Sequence, residues 1–163
     1  MYDSDDVREA RAWAALRNDD CRLAFRLFLR LALEGSANAQ YQLGEFFYYG
    51  DGVRQDEALA VRWYRAAAEQ GHARAQCDYA WCLDQGLGVA RDPRQAALWL
   101  RRSAQQGTRN AQYALGTAYE RGEGVLRDLA RAAHWYRLAA MQDHEQAVAR
   151  LTVLLSRSML PAA

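Results

Sequence analysis

A glycine-rich stretch with two acids, GDGVRQD at residues 50–56, is the first part of this chain whose residue types could do chemistry. Glycine-rich loops can cradle phosphate groups, and closely spaced carboxylates can bind hard cations. The stretch returns as GLGVARD at 86–92 and as GEGVLRD at 122–128, and 86 − 50 and 122 − 86 both equal 36. Its second letter is an acid, a leucine and an acid in turn, so no ligand chemistry is kept there. We interpret it as a bend and not as a phosphate or metal site.

Histidines and cysteines are the other candidates for chemistry. They are His72, His134, His144, Cys21, Cys77 and Cys82. No Ser/His/Asp set, HExxH or CxxC is present, and a single helical histidine beside a tryptophan is usually a packing or surface residue. The cysteines are an odd set, which favours small apolar side chains in the reduced state. We therefore expect a protein that is not an enzyme, with no catalytic residue, no metal site and no cofactor.

The charge balance argues against nucleic acid as a partner. The 21 basic residues are all arginine, and 20 acids leave a net charge of +1. Nucleic-acid binding normally needs a clustered basic face, whereas these arginines stand singly or in pairs beside acids. No run of about 18 apolar residues is present, so we expect no membrane insertion. The acidic start MYDSDDVREA is no secretory signal, and a cytoplasmic protein is the expectation.

The bend belongs to a longer repeated unit of helix, glycine bend and helix. Glycine just past a helical pattern ends a helix in the left-handed conformation, and the closing aspartate is a typical N-cap. We expect helix A at 38–49 and helix B at 57–69, with copies 36 and 72 residues later. In helix A, one apolar stripe contains the residues Ala39, Leu43, Gly44 and Phe47. The repeated Trp63, Trp99 and Trp135 of helix B are predicted to fill buried space between neighbours.

These patterns predict an all-α fold, an α-α superhelix (solenoid) of antiparallel helix pairs with about nine helices. We expect a single solenoid domain over 1–163. Its parts would be a degenerate repeat at 1–34, full repeats at 35–70, 71–106 and 107–142, and a capping helix with a tail at 143–163.

The repeated unit resembles the Sel-one-like repeat, a longer relative of the tetratricopeptide repeat. It reads ANAQYQLGEFFYYGDGVRQDEALAVRWYRAAAEQG in the first full copy and recurs with few departures, among them Tyr79, Ala80 and Leu100. The resemblance implies a right-handed superhelix with helix A on the concave side, and a role in assembling other proteins. Cysteine-rich relatives carry a disulfide in each repeat, and the paired cysteines for that are missing here.

The face of helix A opposite its apolar stripe is where we expect a partner to bind. The candidate residues are Tyr41, Glu45, Tyr48, Tyr49, Arg74, Trp81, Asp84, Gln85, Tyr113, Glu120 and Arg121. The degenerate first helix adds Tyr2, Asp5, Glu9 and Trp13. Tyr41 and Tyr113 repeat, so packing explains them as well as binding does. Tyr48, Tyr49 and Trp81 do not repeat, and such aromatics beside charges have the composition of a binding hot spot.

The leading hypothesis is a scaffold or adaptor that binds a peptide, helix or protein on its concave face. The alternative is a dedicated inhibitor, an immunity protein or a chaperone that grips one specific effector. Weak self-association between copies is a further candidate interaction.

Overall fold

The computed structural model of the chain describes the backbone of residues 5–158 and the side chains of residues 7–156. Nine α-helices and no strand occupy that part of the chain. They are α1 (Asp5–Arg17), α2 (Cys21–Leu33), α3 (Ala37–Tyr49), α4 (Glu57–Glu69), α5 (Ala73–Gln85), α6 (Pro93–Gln105), α7 (Arg109–Arg121), α8 (Leu129–Ala140) and α9 (Glu145–Ser158). Over the same residues, no helix has the length and apolar character needed to cross a membrane.

The chain divides into two compact units, Met1–Arg91 with α1 to α5 and Asp92–Ala163 with α6 to α9. In each unit, every helix packs against the next one along the chain. Short loops join these helices, so neighbours run antiparallel. The predicted fold class, an all-α solenoid of helix pairs, is confirmed. The single-domain organisation and the exact repeat boundaries stay predictions.

The bend between the helices of a pair has the predicted caps at both ends. Gly50, Gly86 and Gly122 follow helices α3, α5 and α7 with φ of 78°, 74° and 74°, in the left-handed region that glycine adopts without steric cost. Asp56, Asp92 and Asp128 each accept a hydrogen bond from a backbone N–H in the first turn of the next helix. The bend therefore serves to end one helix and start another.

The aromatic side chain that fills a helix pair is the tyrosine after the repeated tryptophan. Tyr64 and Tyr136 are only 2% and 0% exposed. Their rings lie against Gly44 and Gly116, and a Cβ on Gly116 would come within 2.7 Å of the Tyr136 ring. Glycine stands at this position because only a residue without a side chain lets the ring approach the helix so closely.

The prediction that the repeated tryptophans fill buried space is wrong. Trp63, Trp99 and Trp135 are half-buried, and Trp63 packs at the edge of the core formed by α1, α2 and α3. On α3 the buried phenylalanine is Phe46 and not the predicted Phe47, which is half-buried. Adjacent residues point about 100° apart on a helix, so an error of one position moves a side chain off the buried face.

A buried glutamine holds each helix A to the helix B before it. Gln40, Gln76 and Gln112 are 9%, 4% and 5% exposed. Their Nε2 groups donate to the carbonyl oxygens of residues 32, 68 and 104, each in the last turn of the preceding helix B. Each of these carbonyls also accepts from the backbone N–H of the glycine that follows its helix, so the glutamine adds a second donor to a buried acceptor in every repeat.

Candidate functional site

A cavity of about 330 Å³ opens on the surface of helices α3 and α5 in the first unit. We call it the tyrosine pocket. Its lining residues are Tyr41, Glu45, Tyr48, Tyr49, Tyr64, Asp78, Trp81 and Cys82. The volume is at the small end of the range of ligand pockets, which suits one side chain better than a large ligand.

Aromatic rings form the walls of the tyrosine pocket. The rings of Tyr48 and Tyr49 meet edge to face with centroids 5.0 Å apart, and Tyr48 lies 6.4 Å from Tyr64. Tyr41 packs on Tyr64 at 5.8 Å. At the rim, Tyr49 is 64% exposed and Trp81 is 52% exposed. The pocket therefore has a packed tyrosine floor and two solvent-exposed aromatic side chains at its mouth.

Two carboxylates, from Glu45 and Asp78, lie among these rings. Glu45 accepts a hydrogen bond from the Tyr64 hydroxyl. Burial, followed by the charge of Glu45, raises the pKa of Asp78 from 3.8 to about 6, although hydrogen bonding with Tyr41 and the charge of Arg74 oppose the rise. Among residues 7–156, no ion pair to either carboxylate is formed. The pocket thus contains two carboxylates that no arginine of the described chain pairs with.

Three other groups of the pocket, Tyr41, Tyr64 and Cys82, have raised pKa values. Burial raises the pKa of Tyr41 and of Tyr64 far above the ordinary value for tyrosine. Burial, followed by the charge of Asp78, also raises the pKa of the Cys82 thiol to about 12. A protonated thiol is a poor nucleophile, and Cys82 is only 1% exposed, which favours a packing role for this residue.

The corresponding surface of the second unit has a different charge arrangement. There Glu120 of α7 accepts two hydrogen bonds from the Arg150 guanidinium of α9, from Nη2 at 2.9 Å and from Nε at 3.3 Å. The Tyr136 hydroxyl donates to the same carboxylate at 2.7 Å. In this unit, an arginine of the chain itself neutralises the carboxylate beside the buried tyrosine.

The structure brings together five of the residues predicted from the sequence to bind a partner. Tyr41, Glu45, Tyr48, Tyr49 and Trp81 all line the tyrosine pocket. One correction applies to this set, because Tyr41 is buried and not on a solvent-facing stripe. Its ring stacks on His72 with centroids 4.7 Å apart, so it supports the pocket from below.

The remaining candidates of the first unit lie outside the tyrosine pocket. Arg74 is exposed and borders a smaller cavity of about 280 Å³ that also contacts Glu9 and Trp13. The side chains of Asp84 and Gln85 hydrogen-bond to each other at 2.7 Å. Tyr2 and the side chain of Asp5 lie outside the described residues.

The candidates of the second unit are engaged within the chain. Tyr113 is half-buried and stacks on His144 with centroids 4.5 Å apart. Glu120 is held by Arg150, and Arg121 lies 3.8 Å from Glu123. The prediction that Tyr113 and Glu120 belong to an open solvent-facing stripe is therefore wrong, because both are packed against their own unit.

Sequence reasoning missed Asp78 and Tyr64. The signal for Asp78 was available, since Gln42 and Ala114 occupy the same position in the other two full repeats, and of these three residues only Asp78 is charged. Tyr64 repeats as Tyr136 and therefore resembles a purely structural residue. Its hydroxyl nevertheless points at Glu45, a contact that only helix packing reveals.

Two of the histidines serve as helix caps. His72 Nδ1 accepts from the backbone N–H of Ala75 at 3.1 Å, and His144 Nδ1 accepts from that of Ala147 at 3.3 Å. His134 is exposed, with its ring edge-on to Trp135. In the part of the chain that the structure describes, no three His, Cys, Asp or Glu side chains are grouped so as to hold a metal ion.

Comparison with known families matches the model described as Sel1 repeat to residues 15–36, 37–72, 73–108 and 109–144. No curated protein matches the chain. The four matched segments follow one another without a gap and cover most of the sequence.

Among solved structures, a protective antigen of uropathogenic Escherichia coli with an SLR fold is similar at 38% identity and a TM-score of 0.81, over 83% of this chain and 29% of that one. A Sel1 repeat protein from Oxalobacter formigenes is similar at 29% identity and a TM-score of 0.81, over 90% of this chain and 62% of that one. Helicobacter pylori cysteine rich protein B shares the fold at 20% identity and a TM-score of 0.59, over 76% of this chain and 94% of that one. The chain thus spans less than two thirds of the length of the first two structures.

Proposed function

Because the chain belongs to the Sel1 repeat family, we propose that it is a scaffold that holds a segment of a partner protein on the α3 and α5 surface of its first unit. Proteins with this repeat are generally protein-interaction scaffolds. The family supplies the fold, whereas the residues that differ between repeats supply the specificity.

The observation that carries the proposal is the tyrosine pocket with its exposed rim. Trp81 and Tyr49 are exposed, large and absent from the equivalent positions of the other repeats. Tryptophan, tyrosine and arginine dominate binding hot spots, because they bury a large area at a small entropic cost. Two rim aromatics around a cavity with unpaired carboxylates offer both area and charge for recognition.

The proposal is tested by capture of partners on the tagged protein, followed by titration of the purified partner by calorimetry. We expect Trp81→Ala to weaken binding by about 1 kcal/mol or more, the scale of a hot-spot residue. The matched control is Leu126→Ala, which removes a side chain that is 91% exposed on the second unit. If Trp81→Ala and Tyr49→Ala both bind like the wild type, the proposed surface is wrong.

The affinity and the partner type separate a scaffold from a dedicated inhibitor or chaperone. Micromolar binding of extended segments supports the scaffold, whereas nanomolar binding of one folded protein supports the alternative.

Cys21, Cys77 and Cys82 are all free thiols, which supports our expectation of a reducing compartment such as the cytoplasm.

A further inference from the structure

The two units contain the same local arrangement of helices, and the second shows how a guanidinium fits it. Position 150 corresponds to position 78, since 150 − 78 is 72, or two repeats. By the same shift, Tyr136 corresponds to Tyr64. In the second unit, Arg150 at this position donates to a carboxylate of the preceding helix A, and that carboxylate also accepts from the Tyr136 hydroxyl.

The first unit keeps the tyrosine and also places a helix A carboxylate on its hydroxyl, but it has an acid in place of the arginine. The two carboxylates come from different repeat positions, since Glu45 corresponds to Thr117 and Glu120 to Tyr48. The Tyr64 hydroxyl donates to Glu45 as the Tyr136 hydroxyl donates to Glu120. Asp78 stands where Arg150 stands in the second unit. The charge that neutralises the carboxylate in one unit is therefore missing in the other, and a second negative charge takes its place.

A half-buried acid without an ion pair costs stability. The raised pKa of Asp78, caused first by burial and then by Glu45, shows that its charged form is disfavoured in the folded chain. A cation between Glu45 and Asp78 would remove this cost. The pocket is thus complementary in charge to a positive group.

We infer that the tyrosine pocket binds the guanidinium of an arginine side chain that the partner segment inserts between Glu45 and Asp78. The inference rests on the proposed function and specifies the chemistry of the partner. A guanidinium is planar, stacks on aromatic faces and donates in a fork to carboxylates, whereas an ammonium is a compact and strongly hydrated charge. Trp81 and Tyr49 at the rim provide the aromatic faces for a cation–π contact.

The first test is a titration of the ¹⁵N-labelled protein with the blocked peptide acetyl-Ala-Arg-Ala-amide, followed by NMR. The run is at pH 7.5, above the pKa of Asp78, so that Asp78 is charged. We expect saturable shifts of the Trp81 indole and of the amides of Tyr48 and Asp78. The citrulline peptide has the same shape without the charge and should bind about tenfold more weakly or worse. Equal shifts with citrulline, or shifts confined to other parts of the chain, would overturn the inference.

Lysine and trimethyllysine peptides of the same length test the choice of cation. We expect the arginine peptide to bind more tightly than either. If trimethyllysine binds more tightly, the pocket is an aromatic cage for a quaternary ammonium and the arginine assignment is wrong.

Three variants test the two carboxylates. Glu45→Gln and Asp78→Asn each replace a carboxylate by an amide, which keeps an oxygen that can accept from a tyrosine. Each should weaken binding of the arginine peptide about tenfold. Asp78→Arg places a guanidinium of the chain at the position of Arg150 and should close the pocket to the peptide. Asp51→Asn, which removes an exposed carboxylate in the bend, is the control. Circular dichroism melts show whether each variant is folded, and wild-type affinity in all three folded variants would contradict the inference.

The same variants separate this inference from the proposed function. Suppose that Trp81→Ala weakens binding of the captured partner but Glu45→Gln and Asp78→Asn do not. The proposed partner surface is then correct, and the inference that an arginine occupies the pocket is wrong. If the arginine peptide binds and Trp81→Ala leaves the partner unaffected, the pocket binds arginine and the proposed partner surface is wrong.

Discussion

Arg150 on α9 and Glu120 on α7 form a two-point ion pair, with Nη2 and Nε of the arginine 2.9 Å and 3.3 Å from the two carboxylate oxygens. The Glu120 side chain is only 13% exposed and also accepts from the Tyr136 hydroxyl. A bidentate pair of this kind fixes the orientation of both side chains. It therefore ties α9 to α7, the helix A before it.

Replacement of Arg150 by methionine should lower the free energy of unfolding by about 1–3 kcal/mol. The reason is that a largely buried carboxylate loses its charged donors while the apolar stem is kept. Urea denaturation measures the loss. Arg137→Met removes an exposed arginine from α8 and should change little. Equal stability of the two variants would show that the ion pair contributes nothing.

Gly116→Ala should destabilise the chain by about 1–3 kcal/mol, because the new Cβ would press on the ring of Tyr136. The cost should be smaller in a Tyr136→Leu background, where the ring is gone. The middle repeat already combines the two changes, with Ala80 at the glycine position and Leu100 at the tyrosine position. A double-mutant cycle measures the coupling, and strictly additive effects would rule out the proposed contact.

Trp81→Ala should leave the melting temperature nearly unchanged, whereas Tyr64→Ala should cost about 3–5 kcal/mol. Trp81 is 52% exposed and Tyr64 only 2% exposed, so the second substitution alone opens a cavity. Thermal and urea unfolding of both variants check the contrast. If both lose the same stability, Trp81 is a core residue and cannot serve as a free rim side chain.

Asp78→Asn should stabilise the protein at pH 8 by roughly 2–3 kcal/mol, and the gain should disappear toward pH 4. The folded pKa of Asp78 is raised from 3.8 to about 6. The folded state therefore holds the proton more tightly than the unfolded state, and the stability contributed by Asp78 falls as the pH rises through this window. Denaturant unfolding of the wild type and the variant at several pH values gives the difference.

The groups that face Asp78 are Glu45 and Tyr41 of α3 and Arg74 of α5. Glu45 raises the pKa of Asp78, so Glu45→Gln should shift the pH range over which Asp78 loses its contribution to stability to lower pH. Burial lowers the pKa of the nearby His72. The stability that His72 contributes is therefore lost as the pH falls, which is the opposite direction to Asp78. Because His72 is present in both proteins, the difference between wild type and Asp78→Asn isolates Asp78. A gain that is the same at pH 4 and pH 8 would contradict the prediction.

Gln112→Leu should cost about 1–3 kcal/mol, because the buried carbonyl of Ala104 loses its side-chain donor. The matched control is Gln105→Leu, which changes an exposed glutamine on α6. Chemical denaturation compares the two. Similar unfolding midpoints would mean that the repeated glutamine is not needed to satisfy the helix end.

The helices and their ends could be predicted from the sequence because their causes are local. Helix B of the first full repeat was expected at 57–69 and is Glu57–Glu69, and helix A was expected at 38–49 and is Ala37–Tyr49. Glycine ends a helix through its own backbone freedom, and aspartate starts one through a bond three residues away. A period of 36 residues repeats these local signals, and each copy confirms the others.

Which aromatic side chain fills a helix pair could not be predicted from the repeat alone. Trp63 and Tyr64 both repeat and stand side by side, and the larger one was expected in the core. The structure buries the tyrosine, because its ring is the one that meets Gly44 on the neighbouring helix. Periodicity shows that a residue type recurs at the same position of each repeat. The packing of the next helix determines which of two adjacent positions faces that helix.

The residues of the candidate site also divide into those that the sequence predicts and those that only the structure reveals. The sequence by itself singled out Glu45 from its place on helix A, and Tyr48, Tyr49 and Trp81 also from their failure to repeat, and the structure brings all four to one cavity. The sequence marks Asp78 as the one charged residue at its position in the three full repeats, but only the tertiary structure shows that it shares a pocket with Glu45. Only the structure also shows that Glu45 and Glu120, from different repeat positions, each accept from a buried tyrosine hydroxyl. Glu120 is neutralised by an arginine 30 residues away, whereas Glu45 shares a pocket with a second acid. The physical reason is that a charge is paired or unpaired according to what lies next to it in space, and the packing of whole helices decides that.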